Sequence, residues 1–375
     1  MFKQGSIQSH LNFKDKFLAM DFVLLSCILF LGLISFFAMY STDGGEFAYH
    51  TKSHIVRFFV FLFLFFVASF FKTSFWYSTS IPVYIGILIL LILVKYFGLT
   101  SSGSQRWLDL YFLNLQPSEL MKIGLILFLA NYYHRISAGD VNRIAFLFKP
   151  LVALIIPFIL VVTQPDLGTA FLIGVGGFIV IWLAGVKMKY FTYFGLILVS
   201  LTPIAISFLK PYQKSRILTF LDPSRDPLGA GYQITQSKIA IGSGGFFGKG
   251  FLNGSQSYLD YLPEKHTDFI FTLFSEEFGF VGSIILIILY TLLIYRIIMI
   301  GFISRSFFGK LYCFGFASAL FLYIFVNIAM VVGLLPIVGA PLPIMSYGGS
   351  SMLSIMLGLS IVMSCKIYSR DPIGS

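Results

Sequence analysis

The sequence predicts an all-α polytopic membrane protein of about ten transmembrane helices, with a large extracytoplasmic loop between helices seven and eight. Hydrophobic residues make up 57% of its 375 positions and charged residues only 11%, with a mean hydropathy of +0.88. A soluble domain carries about 25% charged residues to cover its surface. Uncharged runs recur at close to the ~20 residues a helix needs to cross a hydrocarbon core roughly 30 Å thick. The excess of 26 Lys and Arg over 16 Asp and Glu sorts to one side of those runs. Cys27, Cys313 and Cys365 lie in or beside apolar runs, without metal-ligand or disulfide spacing.

The first span is Phe22–Tyr40, after a polar segment too long and too lacking in a small-residue cleavage site for a removed signal peptide. The second, His54–Phe71, carries Arg57, whose long stem can reach the interface. Trp76–Val94 and Pro117–Tyr133 follow, and Pro117 suits a first helical turn, where its missing N–H is not needed. Pro150–Thr163 and Leu167–Ala184 are separated only by Gln164-Pro165-Asp166, which favours a turn over one long helix. Tyr190–Leu209, Phe278–Tyr295, Leu311–Leu335 and Gly348–Cys365 complete the set. Residues 1–21 then form a cytoplasmic segment, 22–366 the membrane domain and 367–375 a cytoplasmic tail.

With the N-terminus inside, the cytoplasmic segments hold 14 of the bases and four of the acids, so the whole excess of +10 resides there. That is the distribution the positive-inside rule expects, and it places both termini in the cytoplasm. The basic balance therefore reports orientation and not a nucleic-acid partner. The loop of about residues 210–277 carries seven bases and seven acids on the opposite face. A long, charge-rich loop on a rigid scaffold is a common place for binding or chemistry.

Several polar groups gather on that outer side. Arg106 and Trp107 precede Gln116-Pro117-Ser118-Glu119-Leu120-Met121-Lys122, in which Glu119 and Lys122 share a helix face and can pair. An ionisable pair just inside a span is either a structural bridge between helices or the wall of a polar cavity. Trp107 is an interfacial anchor or, with Arg106 beside it, part of an anion or sugar contact. Gln164 and Asp166 form a second polar wall or a simple turn in which Asp166 caps the next helix. Gly229 to Ile241 can form a short amphipathic helix. The stretch from Gly242 to Gly250 superficially suggests a phosphate loop, but Ser243 and Gly250 occupy positions that need Gly and Ser or Thr. No nucleotide site is expected. Its glycines and Lys249 still offer anion contact or tight turns.

The densest cluster is Pro263-Glu264-Lys265-His266-Thr267-Asp268, followed by Glu276-Glu277. Asp268 opens an apolar run, so partial desolvation would suit it to proton abstraction; its simpler reading is a helix N-cap. Two carboxylates there can also hold a divalent cation such as Mg or Mn against a diphosphate. His266 with Asp268 is by spacing alone a weak metal signal. Pro341 and Pro343 delay a regular helix to about Ser346, and Gly348-Gly349-Ser350-Ser351 permits close backbone approach, so Ser346 and Ser350 are read as architecture and substrate contact.

Together these segments resemble the SEDS (shape, elongation, division and sporulation) family of bacterial cell-wall polymerases. The resemblance rests on Arg106-Trp107, Gln116 to Lys122, Gln164 to Thr169, Thr219 to Pro223, Asp226 to Tyr232, Gly242 to Gly245, His266 to Phe271, Glu276-Glu277 and Pro341 to Ser351. The stretches from Gln236 to Gly245 and Gly339 to Pro343 are similar to the rod-elongation branch. The resemblance implies an inverting glycosyltransferase that polymerises lipid II at the outer face of the cytoplasmic membrane and releases undecaprenyl diphosphate. It implies a class B penicillin-binding protein, a transpeptidase, as partner, alongside other elongation-complex membrane proteins. Asp268 becomes the essential acid, either as general base or as ligand to the divalent cation. Arg106, Lys122 or Lys249 would offset charge on the leaving diphosphate. A lipid II flippase and a non-catalytic scaffold are the rival readings; a transporter would carry polar groups into the inner halves of the spans, which here are apolar.

Overall fold

The computed structural model describes residues 12–101, 104–109, 114–208, 229–255 and 264–373, with residues 214, 215, 218–220, 222, 225 and 226 of the long loop. The turn motif at Leu221, Pro223, Ser224 and Pro227, and Pro263 of the dense cluster, lie outside the described residues. A short amphipathic helix α1 (Phe13–Leu18) leads into α2 (Phe22–Thr42), α3 (Tyr49–Ser69) and α4 (Thr73–Phe97). Then come α5 (Pro117–His134), α6 (Ile144–Thr163), α7 (Leu167–Leu183) and α8 (Met188–Phe208). After the long loop stand α9 (Ala230–Ser243), α10 (Ile270–Ile303), α11 (Phe307–Val331) and α12 (Gly349–Ile367).

This is a multi-pass membrane protein. Among the described residues seven helices (α2, α3, α4, α6, α10, α11 and α12) are long and apolar enough to cross a bilayer. Helices α5, α7 and α8 occupy the other three positions where the sequence placed spans. α5 carries Glu119, Lys122, Asn131 and His134 along one helix, and α7 is 17 residues long. Burial tells which helices are central. Of the spanning window of α12, 78% is buried, against 28% for α4. α12 packs on α3 and α5, α5 also on α4, α7 and α11, and α10 on α2 and α11. Peripheral helices instead display Phe, Leu and Ile outward, among them Phe30, Phe59, Phe63, Ile89 and Ile288, as a lipid-facing surface requires.

Among the described residues, the structure departs from an all-helical reading between α4 and α5. Leu99–Ser101 (β1), Ser104–Asp109 (β2) and Asn114–Leu115 (β3) form a small antiparallel sheet, with Leu99 opposite Trp107 and Leu108 opposite Leu115. This sheet satisfies backbone groups that an irregular loop would leave exposed between α4 and α5.

A second departure is the start of α10. The sequence ended the long loop at about Glu277, but the helix begins at Ile270 and breaks at Gly279, whose φ of 66° and ψ of −162° only glycine adopts readily. The Gly242–Gly250 stretch packs into that break. Lys249 N–H donates to Glu276 O (3.0 Å) and Gly250 N–H to Glu277 O (3.0 Å). A Cβ on Gly248 would stand 2.0 Å from Glu277 O, so these glycines serve close backbone approach. α9 is held against α10 and α11, with Ser237 Oγ bonded to Thr272 Oγ1 (2.7 Å) and donating to Val331 O (2.8 Å).

Candidate functional site

Two ends of the bundle collect different chemistry. At one end Asp21 caps α2 through Leu24 N–H and pairs with Arg296, while Tyr368 and Ser364 hydroxyls donate to Phe70 O and Phe71 O. At the opposite end a cavity of about 360 Å³ opens between β2, α5, α9, the turn before α10 and the segment before α12. Arg106, Trp107, Glu119, Gln233, Glu264 and Asp268 are among the residues that line it.

Asp268 stands half-buried in the cavity wall. It does not cap α10: Phe269 is the N-cap, and no side chain caps there. The turn that carries it is fixed through its backbone. Asn327 Nδ2 donates to Asp268 O (2.9 Å) and to Ala340 O (2.6 Å). Ser346 Oγ donates to Thr267 O (2.6 Å), and Tyr347 N–H donates to His266 O (2.8 Å). Buried carbonyls without such donors would each cost about 1–3 kcal/mol, so the position of Asp268 is strongly specified. Ser346 is therefore architectural, and sequence reading missed Asn327, whose signal was a lone amide in an apolar helix.

Glu119 and Lys122 do pair, at 2.9 Å, with side-chain exposures of 4% and 10%. Tyr323, also missed, completes the unit: its hydroxyl donates to Glu119 Oε2 (2.7 Å) and Lys122 Nζ lies 3.8 Å from its ring centroid. Glu119 reaches the cavity; Lys122 is not among the lining residues.

Asp166 combines both of its readings. It caps α7 by accepting from Thr169 N–H (3.1 Å), accepts from Gln116 Nε2 (3.1 Å) and lies 3.8 Å from Arg106 Nη1. Arg106 thus enters the cavity wall held by Asp166 and by Pro165 O. Gln164 points elsewhere, its Nε2 donating to Leu91 O (2.9 Å). Ser350 accepts from Gln116 N–H (2.9 Å) and donates to Asn114 O (3.0 Å), tying α12 to β3. Lys249 is bound to Glu276 (2.6 Å) and Ser255 (2.7 Å), away from the lining. Of the three bases expected to face the cavity, Arg106 does.

His266 is not in the lining either. Its ring stacks on His50 at 4.2 Å beside Asp43, a carboxylate and imidazole that the sequence had left in an unremarked turn. Burial works to raise the Asp43 carboxyl, but hydrogen bonds from Thr51 and the two neighbouring histidines outweigh it and hold the group below its ordinary 3.8.

The family model for cell cycle proteins of the FtsW, RodA and SpoVE type matches residues 16–371. The chain is 45% identical over 290 residues to the peptidoglycan glycosyltransferase MrdB of Escherichia coli strain K12, covering 77% of this chain and 78% of that protein. It is 36% identical over 332 residues to the probable peptidoglycan glycosyltransferase FtsW of Tolumonas auensis, covering 87% and 85%. A solved chain from a peptidoglycan synthase complex that coordinates polymerization and crosslinking superposes with a TM-score of 0.80 at 31% identity, over 93% of this chain and 98% of that one. The crystal structure of Thermus thermophilus rod shape determining protein RodA gives 0.69 at 26% identity, over 95% and 99%.

Proposed function

This chain belongs to the SEDS family, that of FtsW, RodA and SpoVE, and on that footing we propose that it is a peptidoglycan glycosyltransferase that polymerises lipid II into glycan strands. The observation that carries the reading to a site is the cavity that sets Asp268 and Glu264 beside Arg106 and Trp107 at one end of the bundle. An acceptor sugar hydroxyl attacks the anomeric carbon of the donor as the bond to the diphosphate breaks. The proton passes to Asp268 as general base, and the electron pair leaves with undecaprenyl diphosphate, whose charge faces Arg106. Direct displacement inverts the anomeric centre. Trp107 offers a flat apolar surface for the sugar. Glu119, locked to Lys122, shapes the wall.

In the alternative role of Asp268, it and Glu264 in the same wall would supply hard oxygen donors to a divalent cation such as Mg2+ or Mn2+. When bound it would neutralise charge on the diphosphate. The same proposal covers ten spans in the cytoplasmic membrane, with both termini inside and the cavity outside. The pairing of Asp21 with Arg296 supports that orientation, because the charge distribution assigns both to the cytoplasmic side. A class B penicillin-binding protein is the proposed partner, since a matching chain comes from a synthase complex joining polymerization to crosslinking. A role in elongation is the proposed one, since Gln236 to Gly245 and Gly339 to Pro343 resemble the rod-elongation branch and a rod shape determining protein matches 95% of this chain.

The test is polymerisation by the purified protein with its transpeptidase, supplied with lipid II. Glycan polymer is expected from the wild type and not from Asp268→Ala, and chelation of divalent cations should suppress it. Polymer from Asp268→Ala at the normal rate would remove Asp268 from the chemistry. Transport of labelled lipid II across vesicles without polymer would give the function to a flippase.

A further inference from the structure

We propose that Asp43, His50 and His266 form a transition-metal site of their own, suited to Zn2+, beside the polymerisation cavity and separate from any cation held at Asp268. The three residues come from distant parts of the chain. Asp43 follows the last turn of α2, His50 lies in the first turn of α3, and His266 sits in the turn before α10. Their donor atoms nevertheless lie within 4.8 Å of one another. Asp43 Oδ1 stands 3.3 Å from His50 Nδ1 and 4.0 Å from His266 Nδ1.

The carboxylate is aimed. Thr51 N–H and Oγ1 both donate to Asp43 Oδ2, at 2.9 and 2.7 Å, which leaves Oδ1 turned toward the imidazoles. Partners of this kind orient metal ligands and raise affinity, and losing one typically weakens binding about 10–100-fold. Two imidazoles and one carboxylate are the donor set of many three-ligand zinc sites that keep a fourth position for water. Mg2+ and Ca2+ prefer all-oxygen shells, so the nitrogen donors select a first-row transition ion. Around an ion with bonds of about 2.0–2.2 Å, donors stand roughly 3–3.5 Å apart. Binding therefore needs a closure of about 1 Å, which rotation of the His266 ring out of its stack on His50 provides. The ion would pin the α2–α3 turn to the segment that carries Asp268 two residues further on.

The experiment uses the untagged full-length protein in detergent micelles, with Zn2+ followed by calorimetry and Co2+ as a spectroscopic stand-in. One Zn2+ per chain is expected, and Co2+ should give the visible absorption of a low-coordinate nitrogen–oxygen site. Asp43→Asn and His50→Ala should each weaken Zn2+ at least about tenfold. Thr51→Val keeps all three ligands and should still weaken it by about tenfold or more, which guards against a misfolded ligand variant. Asp268→Asn should bind Zn2+ like the wild type. Absence of Zn2+ binding at micromolar concentration overturns the proposal. So does unchanged binding in Asp43→Asn, or loss of binding in Asp268→Asn, which would put the ion in the cavity.

Discussion

The Glu119–Lys122–Tyr323 unit makes a quantitative claim about how a spanning helix tolerates charge. Both charged side chains are nearly out of solvent, the ion pair is 2.9 Å long, and Tyr323 contributes a hydrogen bond to the carboxylate and a ring face to the ammonium. Removing one partner strands the other charge, which costs about 3–5 kcal/mol in a buried pair. Removing both leaves no stranded charge, and a well-packed apolar replacement is close to neutral. Glu119→Gln and Lys122→Met should therefore each destabilise by about 3–5 kcal/mol, and the double variant by no more than either alone. Tyr323→Phe keeps the ring and deletes only the donor to Glu119, for about 1–3 kcal/mol. Unfolding in mixed micelles with increasing SDS, read by tryptophan fluorescence, gives all four free energies. A double variant whose loss equals the sum of the singles would refute the coupling, and single variants losing under about 1 kcal/mol would mean that the pair is hydrated. Because Glu119 also reaches the cavity, the stable double variant then isolates its effect on polymerisation.

Three further outcomes are expected. Gly279→Ala forces a side chain onto a backbone at φ 66°, with its Cβ 2.3 Å from Gly248 N and 2.7 Å from Phe246 O, so stability measured by the same unfolding assay should fall by more than the ~1–3 kcal/mol of backbone strain alone. Asp166→Ala removes the α7 cap, worth about 0.5–2 kcal/mol, and frees Arg106; lipid II polymerisation should fall further than a thermal melt alone would explain. Asn327→Leu deprives Asp268 O and Ala340 O of their shared donor, so the rate of polymerisation should drop while lipid II binding, measured by fluorescence titration, changes little.

Bilayer thickness made the spans legible. A helix that must be ~20 residues long and apolar announces itself, and each of the expected runs coincides with a helix. Local rules carried further: Pro117 does open α5, Asp166 does cap α7, and Glu119 meets Lys122 one turn on. What failed was reading where a polar residue points when its partner is far away in sequence. Glu276 and Glu277 look like loop residues, yet both are buried within α10 because Lys249 and Ser41 meet them there. The same pairing keeps Lys249 out of the cavity lining. Gln164 and Ser350 are spent on backbone groups at Leu91 and Asn114 for the same reason. The three strands at 99–101, 104–109 and 114–115 are too short to show an alternating pattern in the sequence.

The cavity and the Asp43 cluster share one physical origin. Polar groups at the end of a helical bundle must be satisfied by the protein wherever water is excluded, so most of the polar residues flagged in the sequence close on one another. Arg106 remains in the wall because Asp166 and Pro165 hold it from behind, and Asp268 because Asn327 and Ser346 hold its turn by the backbone. The residues that face the cavity are therefore selected by which neighbours anchor them through other atoms. That selection depends on tertiary contacts spanning 59 residues for both Arg106–Pro165 and Asp268–Asn327, which local spacing does not encode.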